Sequence, residues 1–289
     1  MGLLFFFMRI IEFIIEEKDD GKEIRDFLRN FGVSSALLTK LKSTENGVTK
    51  NGDFARAIDR IHTGDRLKIS IESSGKMPAA SDGNGVGILY NDEDLLVLDK
   101  PPYMPVHESR NHRGDALSNA AAKYMDSDTA FRAVFRLDRD TSGAVVIAKN
   151  ELAACKLAGK IKKDYYAVCQ GAMTGEGTID LPIRRVRESI IERGVFPDGE
   201  RAVTHWKAVK TVNDRTLLKI NLETGRTHQI RVHFAHLGHP LLGDTLYGGE
   251  CDEISRQALH CKTVYFTHPI TEKYIVIDSE FPDDFKGLI

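Results

Sequence analysis

Phe135-Arg136-Leu137-Asp138-Arg139-Asp140-Thr141-Ser142-Gly143-Ala144-Val145-Val146-Ile147-Ala148 sets a loop dense in arginine and aspartate directly against five consecutive apolar residues. An apolar run this short, rich in β-branched residues and without alternation, reads as a strand buried on both faces. The loop beside it therefore holds carboxylates where desolvation and a neighbouring guanidinium govern their charge. Such a carboxylate serves as a nucleophile or a base. From the loop alone, a plainer account is the stronger one: an Arg-Asp brace in which Thr141 or Ser142 bonds local backbone.

Two further segments carry chemistry. In Gly225-Arg226-Thr227-His228-Gln229-Ile230-Arg231-Val232-His233-Phe234-Ala235-His236-Leu237-Gly238-His239-Pro240, Ile230, Phe234 and Leu237 fall at i, i+4 and i+7. The spacing predicts a helix with Thr227 as N-cap and Gly238 and Pro240 as its stop. Arg231 then shares a face with Thr227, away from the apolar stripe. Arg226 and Arg231 suit carboxylate or phosphate partners, or simply a solvated helix side. In Lys163-Asp164-Tyr165-Tyr166-Ala167-Val168, strand alternation sends the two tyrosines to opposite faces, one to the core and one toward a site.

Further out, residues 73–86 (Ser-Ser-Gly-Lys-Met-Pro-Ala-Ala-Ser-Asp-Gly-Asn-Gly-Val) have turn and linker chemistry with little to bury. The expected organisation is a small domain over 9–72, a linker over 73–86 and a second domain over 87–289. In the first, a strand over 9–16, a helix over 22–31 stopped by Gly32, and a helix capped by Ser34 precede an Asn51-Gly52 turn and an alternating strand at Leu67, Ile69 and Ile71. Between residues 27 and 70 there are eight basic residues, among them Lys40, Lys42 and Lys50, and four acidic ones. In the second, apolar runs near 87–90, 95–99, 144–148, 165–169, 216–222, 263–266 and 274–277 alternate with helical stretches near 115–125, 150–162 and 227–237. That pattern is α+β with a mixed sheet.

The 289 residues carry 40 Lys+Arg against 42 Asp+Glu, a net charge of -2, which excludes a chain that holds nucleic acid by bulk positive charge but not local basic surfaces. Cys155, Cys169, Cys251 and Cys261 are too scattered for a disulfide framework, so a reducing cytoplasm is the expected setting. His228, His233, His236 and His239 fit no metal spacing, and no metal is expected. The apolar start Gly2–Met8 lacks the cationic head and cleavage site of an export signal and is too short to span a membrane. Met8 is the expected natural start.

Taken together these blocks resemble the RluA-type family of RNA pseudouridine synthases. Its central His-Arg-Leu-Asp-x-x-Thr-Ser-Gly block matches residues 135–143 everywhere except Phe135, which stands where the family has His. Asp94–Pro101, Pro105-Val106-His107, Lys163-x-Tyr165-x-Ala167, Gly225–His233, Gly238–Asp244, Leu259-His260-Cys261 and Thr267-His268-Pro269 follow in the family's order. Residues 9–72 resemble the alpha-L RNA-binding module that often precedes this domain.

The resemblance implies a pseudouridine synthase fold, with a mixed, mainly antiparallel β-sheet flanked by helices, preceded by a small α/β alpha-L domain. It implies isomerisation of a uridine in RNA without cofactor or metal. Asp138 would be the essential carboxylate. Tyr165 would stack on the uracil and assist proton removal at carbon 5, and Arg231 would pair with Asp138 and hold it as the anion. Arg136 would fill the gap left by the flipped base. Lys163, Arg226, His228 and Gln229, with Lys40, Lys42 and Lys50 of the first domain, are the further expected RNA contacts. Asp140 is an alternative nucleophile that the motif disfavours. Large-subunit ribosomal RNA is the leading substrate and transfer RNA the near alternative, with a monomeric enzyme and no membrane partner expected. A catalytically silent RNA-binding or ribosome-assembly protein and an RNA N-glycosylase are the competing classes.

Overall fold

The structure is a computed structural model that describes residues 8–72, 75–81 and 85–288. Residues 1–7, on which the reading of the natural start turns, lie outside the described residues. The first unit runs β1 (Met8–Ile14), α1 (Ile24–Phe31), α2 (Ser35–Ser43), β2 (Val48–Lys50), β3 (Asp53–Phe54) and β4 (Arg66–Glu72). Gly32 ends α1 in the left-handed region at φ 106°, and the Ser34 side chain accepts the Leu37 amide at 3.1 Å to start α2. The strands pair antiparallel in the order β1-β4-β2-β3. Leu37, Leu38 and Leu41 of α2 and Ile24 and Leu28 of α1 close over the sheet's Ile11, Leu67 and Ile69.

The second unit follows with β5 (Gly87–Asn91), β6 (Leu95–Lys100), α3 (Leu117–Ala121), β7 (Arg132–Ala133), β8 (Ser142–Ala148), α4 (Glu151–Leu157) and β9 (Lys162–Gln170). Then come β10 (Glu176–Asp180), β11 (Ile183–Arg185), β12 (Arg193–Val195), β13 (Val203–Val212), β14 (Arg215–Leu222), α5 (Gln229–His236), β15 (Leu259–Thr267), β16 (Tyr274–Asp278) and α6 (Asp283–Lys286). Its ten-stranded sheet has the order β10-β13-β14-β9-β15-β8-β6-β5, with β16 on β15 and β7 on β8. Every pairing within it is antiparallel except β15 with β8. The sheet is thus mixed and mainly antiparallel, as the family resemblance implies. All seven residues of β8 are buried, the consequence of a strand with neighbours on both edges and cover on both faces.

Three expectations are corrected. The 73–86 segment is not idle where it is described: Met77 is buried in the main core, its amide donates to Ser127 O, and the Asn119 side chain donates to Ala79 O. Thr227 does not cap α5. His228 takes that place in the left-handed conformation at φ 57°, and the turn before the helix is closed by the Gln229 side chain, which accepts the Arg226 amide at 3.0 Å. Leu237 leaves the apolar stripe and is exposed, because the helix ends one residue before it.

The two units are fastened together. Arg9 of β1 forms a bidentate pair with Asp94 at 2.8 and 2.9 Å, and Lys40 of α2 reaches Glu151 of α4 at 2.8 Å. Lys156 lies over the Phe31 ring at 3.7 Å, and Leu152 of α4 is part of the first unit's apolar core. Lys40 is therefore engaged at this junction, where its ammonium already has a carboxylate and the Glu72 carbonyl.

The start of β8 is tightly specified. Gly143 has φ 118°, and a Cβ there would lie 2.2 Å from the Cys261 carbonyl oxygen. Gly143→Ala is expected to lower stability by about 2–4 kcal/mol, read as a lower urea midpoint, because neither backbone can yield inside a paired sheet. His260 of β15 is buried between Ser142 Oγ, at 2.9 Å, and Ser279. Burial pushes its pKa down to about 4 from the ordinary 6.5. The unfolded chain then binds a proton near pH 6.5 that the native state refuses until about pH 4, so stability is full above pH 6.5 and falls as pH drops through this window. The expected loss by pH 5 is about 2 kcal/mol. Urea titrations of the native protein and of His260→Asn check it, since the variant is expected to show a flatter profile from pH 6.5 to 4.

Candidate active site

A cavity of about 750 Å³ opens between the loop that joins β7 to β8, the start of α5 and the start of β9. Leu137, Leu222, Ile230 and Leu259 give it apolar walls, and Asp138, Arg231 and Tyr165 converge there. This is the form of a site that grips a small planar group with a few polar contacts.

Asp138 is presented by a loop whose backbone is held from beneath. Lys100, fully buried, donates to the carbonyls of Arg139 at 2.9 Å, Pro101 at 2.9 Å and Met104 at 2.8 Å. Arg256, also buried, donates to Asp140 O at 3.2 Å, and Gln257 to Thr141 Oγ1 at 3.2 Å. The loop's carboxylates are thereby sorted. Asp140 is held by Arg139 at 2.7 and 3.0 Å and does not line the cavity, whereas Asp138 does.

Arg231 donates from Nη1 to Asp138 Oδ2 at 3.1 Å and, through Nε and Nη2, to both oxygens of Asp244 at 2.7 and 2.8 Å. It is not a solvated helix residue but a buried one. Burial works against its charge, yet the hydrogen bond and charge of Asp244, followed by those of Asp138, outweigh it and raise its pKa. Tyr165 is almost wholly buried, and burial first, then the neighbouring Cys261 and Asp138, push its phenol well above the ordinary range. Tyr166 turns to the other face and meets Phe281 edge-on, as alternation predicts.

His228 Nε2 lies 3.8 Å from Asp138 Oδ2, and Nδ1 lies 2.8 Å from the Tyr247 hydroxyl. That hydroxyl also accepts the Arg193 amide at 3.0 Å, which ties the imidazole to β12 through Tyr247. Burial lowers the pKa of His228 and favours its neutral form.

The other expected contacts divide. Arg136 is exposed at the cavity mouth with no hydrogen-bond partner among the described residues. Lys163 lines the cavity, lies 4.5 Å above the Phe135 ring and has no carboxylate partner among the described residues. Burial lowers its pKa. Phe135 thus supplies the surface under a cation. Arg226 lines the cavity but is partly engaged by Arg201 O and Glu200. Gln229 is corrected: its amide donates to Val203 O and Thr204 Oγ1 and accepts from Thr224 Oγ1 and the Arg226 amide, which leaves it nothing to offer RNA. Lys42 is exposed and Lys50 donates to Arg60 O, both on the first unit and away from the cavity.

Asp244 and Tyr247 are the residues the sequence reading missed. The signal for Asp244 was its place at the end of the Gly238–Asp244 block. Gly243, at φ 73°, lets the chain pass so close to Arg256 that a Cβ would meet its carbonyl oxygen at 1.9 Å, and this brings Asp244 under Arg231. The ligand atoms of Asp92, Asp94 and His268 lie within 4.8 Å of one another. Asp94 there already accepts from Arg9 and Asn150, and Asp92 from Tyr90 and His268, so the cluster is the hydrogen-bonded floor of the junction with β1. No helix among the described residues is long and apolar enough to cross a membrane.

Residues 94–236 match the sequence profile described as RNA pseudouridylate synthase. Over 277 residues the chain is 40% identical to YjbO of Bacillus subtilis, described as an uncharacterized RNA pseudouridine synthase, covering 92% of this chain and 98% of that protein. It is 36% identical over 253 residues to the ribosomal large subunit pseudouridine synthase D of Haemophilus influenzae, covering 80% and 78%. The structure of human RNA pseudouridylate synthase domain containing 1 superposes with a TM-score of 0.57 at 24% identity, over 70% of this chain and 86% of that one, and shares the fold. With the Bacillus relative matched nearly end to end and the Haemophilus relative over more than three quarters of each chain, the chain belongs to the RluA-type RNA pseudouridine synthases, isomerases that convert uridine in RNA to pseudouridine.

Proposed function

We propose that this chain isomerises a uridine in structured large-subunit (23S) ribosomal RNA, with Asp138 as its essential carboxylate. The observation that carries the reading is the convergence of Asp138, Arg231 and Tyr165 in one cavity, with the Arg231 guanidinium 3.1 Å from the carboxylate. A uridine within folded RNA must leave its stack before any group reaches its anomeric carbon, at a cost of a few kcal/mol. Arg136, unpaired at the mouth, is suited to fill the vacated space with its guanidinium plane. The uracil then lies against the Tyr165 ring. Because burial keeps that phenol protonated, any part it takes in removing the carbon 5 proton starts from phenol and not phenolate. Asp138 acts on the ribose or the base beside the fixed positive charge of Arg231. Lys163, Arg226 and His228 contact the RNA around the target.

The ribosomal target is supported by relatives named ribosomal large subunit pseudouridine synthase D, at 36% and 35% identity in Haemophilus influenzae and Pseudomonas aeruginosa. The basic first domain over 9–72 acts as an alpha-L RNA-binding module through Lys42 and Lys50, with the catalytic domain over 87–289.

Carbodiimide mapping of pseudouridine in total RNA from a deletion strain, with and without the restored gene, tests the reading. A missing modification in large-subunit ribosomal RNA is expected; one missing only from transfer RNA moves the target, and none missing anywhere removes the activity. Asp138→Ala is expected to restore less than about a thousandth of the activity while binding RNA nearly as well, since the group that does the chemistry is lost and the cavity is not. Asp244→Ala is expected to destabilise the fold by about 3–5 kcal/mol, seen in urea unfolding, because it strips a buried guanidinium of two hydrogen bonds.

A further inference from the structure

The turn after β6 places Tyr103 at φ 65°, with about half of its surface exposed. Pro102 precedes it, and a proline followed by a residue of positive φ is a turn pattern whose third position favours glycine. A bulky aromatic residue in that conformation is a backbone outlier, and the strain persists only where the surroundings enforce it. Here they do. The buried Lys100 ammonium holds the carbonyls on either side of Tyr103, those of Pro101 and Met104, and the same ammonium holds Arg139 O of the loop that presents Asp138. The Tyr103 hydroxyl is fixed 2.7 Å from Ser255 Oγ. Two residues later the chain forms the cavity wall from Pro105 to Ser109. Burial of the ring does not account for the strain, because the ring is not buried.

We propose that Tyr103 is a substrate-binding residue whose exposed ring stacks on an unpaired base next to the target uridine. The inference rests on the pseudouridine synthase reading of the cavity. An exposed aromatic face held rigid is a surface on which splayed RNA bases stack without sequence preference. The shared Lys100 clamp sets that face in register with Asp138, so a base seated on Tyr103 fixes how far the neighbouring uridine reaches into the cavity.

The test compares Tyr103→Gly with Tyr103→Phe. Glycine suits the backbone at φ 65° and removes the ring; phenylalanine keeps the ring and removes the bond to Ser255. The substrate is total RNA from the deletion strain, labelled with tritium at carbon 5 of uracil, with tritium release giving kcat and KM and filter binding of the same RNA giving Kd. For Tyr103→Gly, KM and Kd are expected to rise about tenfold with kcat little changed and a urea midpoint no lower than native. Tyr103→Phe is expected to stay near the native KM. An unchanged KM and Kd in Tyr103→Gly, or an equal rise in Tyr103→Phe, or a lowered midpoint in Tyr103→Gly would overturn the proposal by making the ring idle or merely structural. Should the native protein release no tritium, the underlying activity fails instead, and the Kd comparison still decides for or against Tyr103.

Discussion

A guanidinium held almost out of water is tolerable only where anions meet its hydrogen-bond donors, and Arg231 is the buried charge on which this site depends. Two of its nitrogens take Asp244 and the third takes Asp138. Asp244 comes from the turn after α5, Asp138 from the loop between β7 and β8, so one side chain ties α5 both to the turn that follows it and to a loop 93 residues away. The two carboxylates are not equivalent. Asp244 is buried and doubly bonded, which makes it the permanent counter-ion, whereas Asp138 receives a single bond and keeps a face open to the cavity. The arrangement supplies positive charge to the Asp138 carboxylate without sealing it.

The opposite side of the loop has its own buried cations. Arg256 is paired with Asp284 and reaches the carbonyls of Asp140 and Leu259, while Lys100 takes three carbonyls and no carboxylate. Carbonyl acceptors fix backbone, not side chains, so these two residues set the path of the loop while Arg231 sets the carboxylate at its tip. In a chain with a net charge of only -2, a few positive groups thus order the site. Arg136 and Lys163 face the cavity without carboxylate partners among the described residues.

Much of this was legible in the amino-acid order because it rests on short-range pattern. The apolar run 144–148 is the buried strand β8, and alternation separates Tyr165 from Tyr166. What could not be read either lacks alternation or depends on partners far away in the chain. β13 escaped notice because from Trp206 onward its residues are half-buried or exposed, so no alternation marks it. Lys40 has the sequence context of a surface RNA contact, and only the docking of α2 on α4 converts it to an ion pair with Glu151. His228 takes a left-handed conformation that local propensity assigns to glycine or asparagine, and it is sustained by Tyr247, nineteen residues on.

That last contact joins the site to the hairpin of β11 and β12. The Arg193 amide of β12 donates to the Tyr247 hydroxyl, that hydroxyl lies 2.8 Å from His228 Nδ1, and His228 Nε2 lies 3.8 Å from Asp138 Oδ2. Only the amide has a fixed role: a hydroxyl that accepts from it can still donate to Nδ1 or take a second hydrogen bond from Nδ1–H. In the first case the imidazole hydrogen sits on Nε2 and faces Asp138; in the second a lone pair does. The hairpin is thereby coupled to the electrostatics of the cavity through two side chains, Tyr247 and His228.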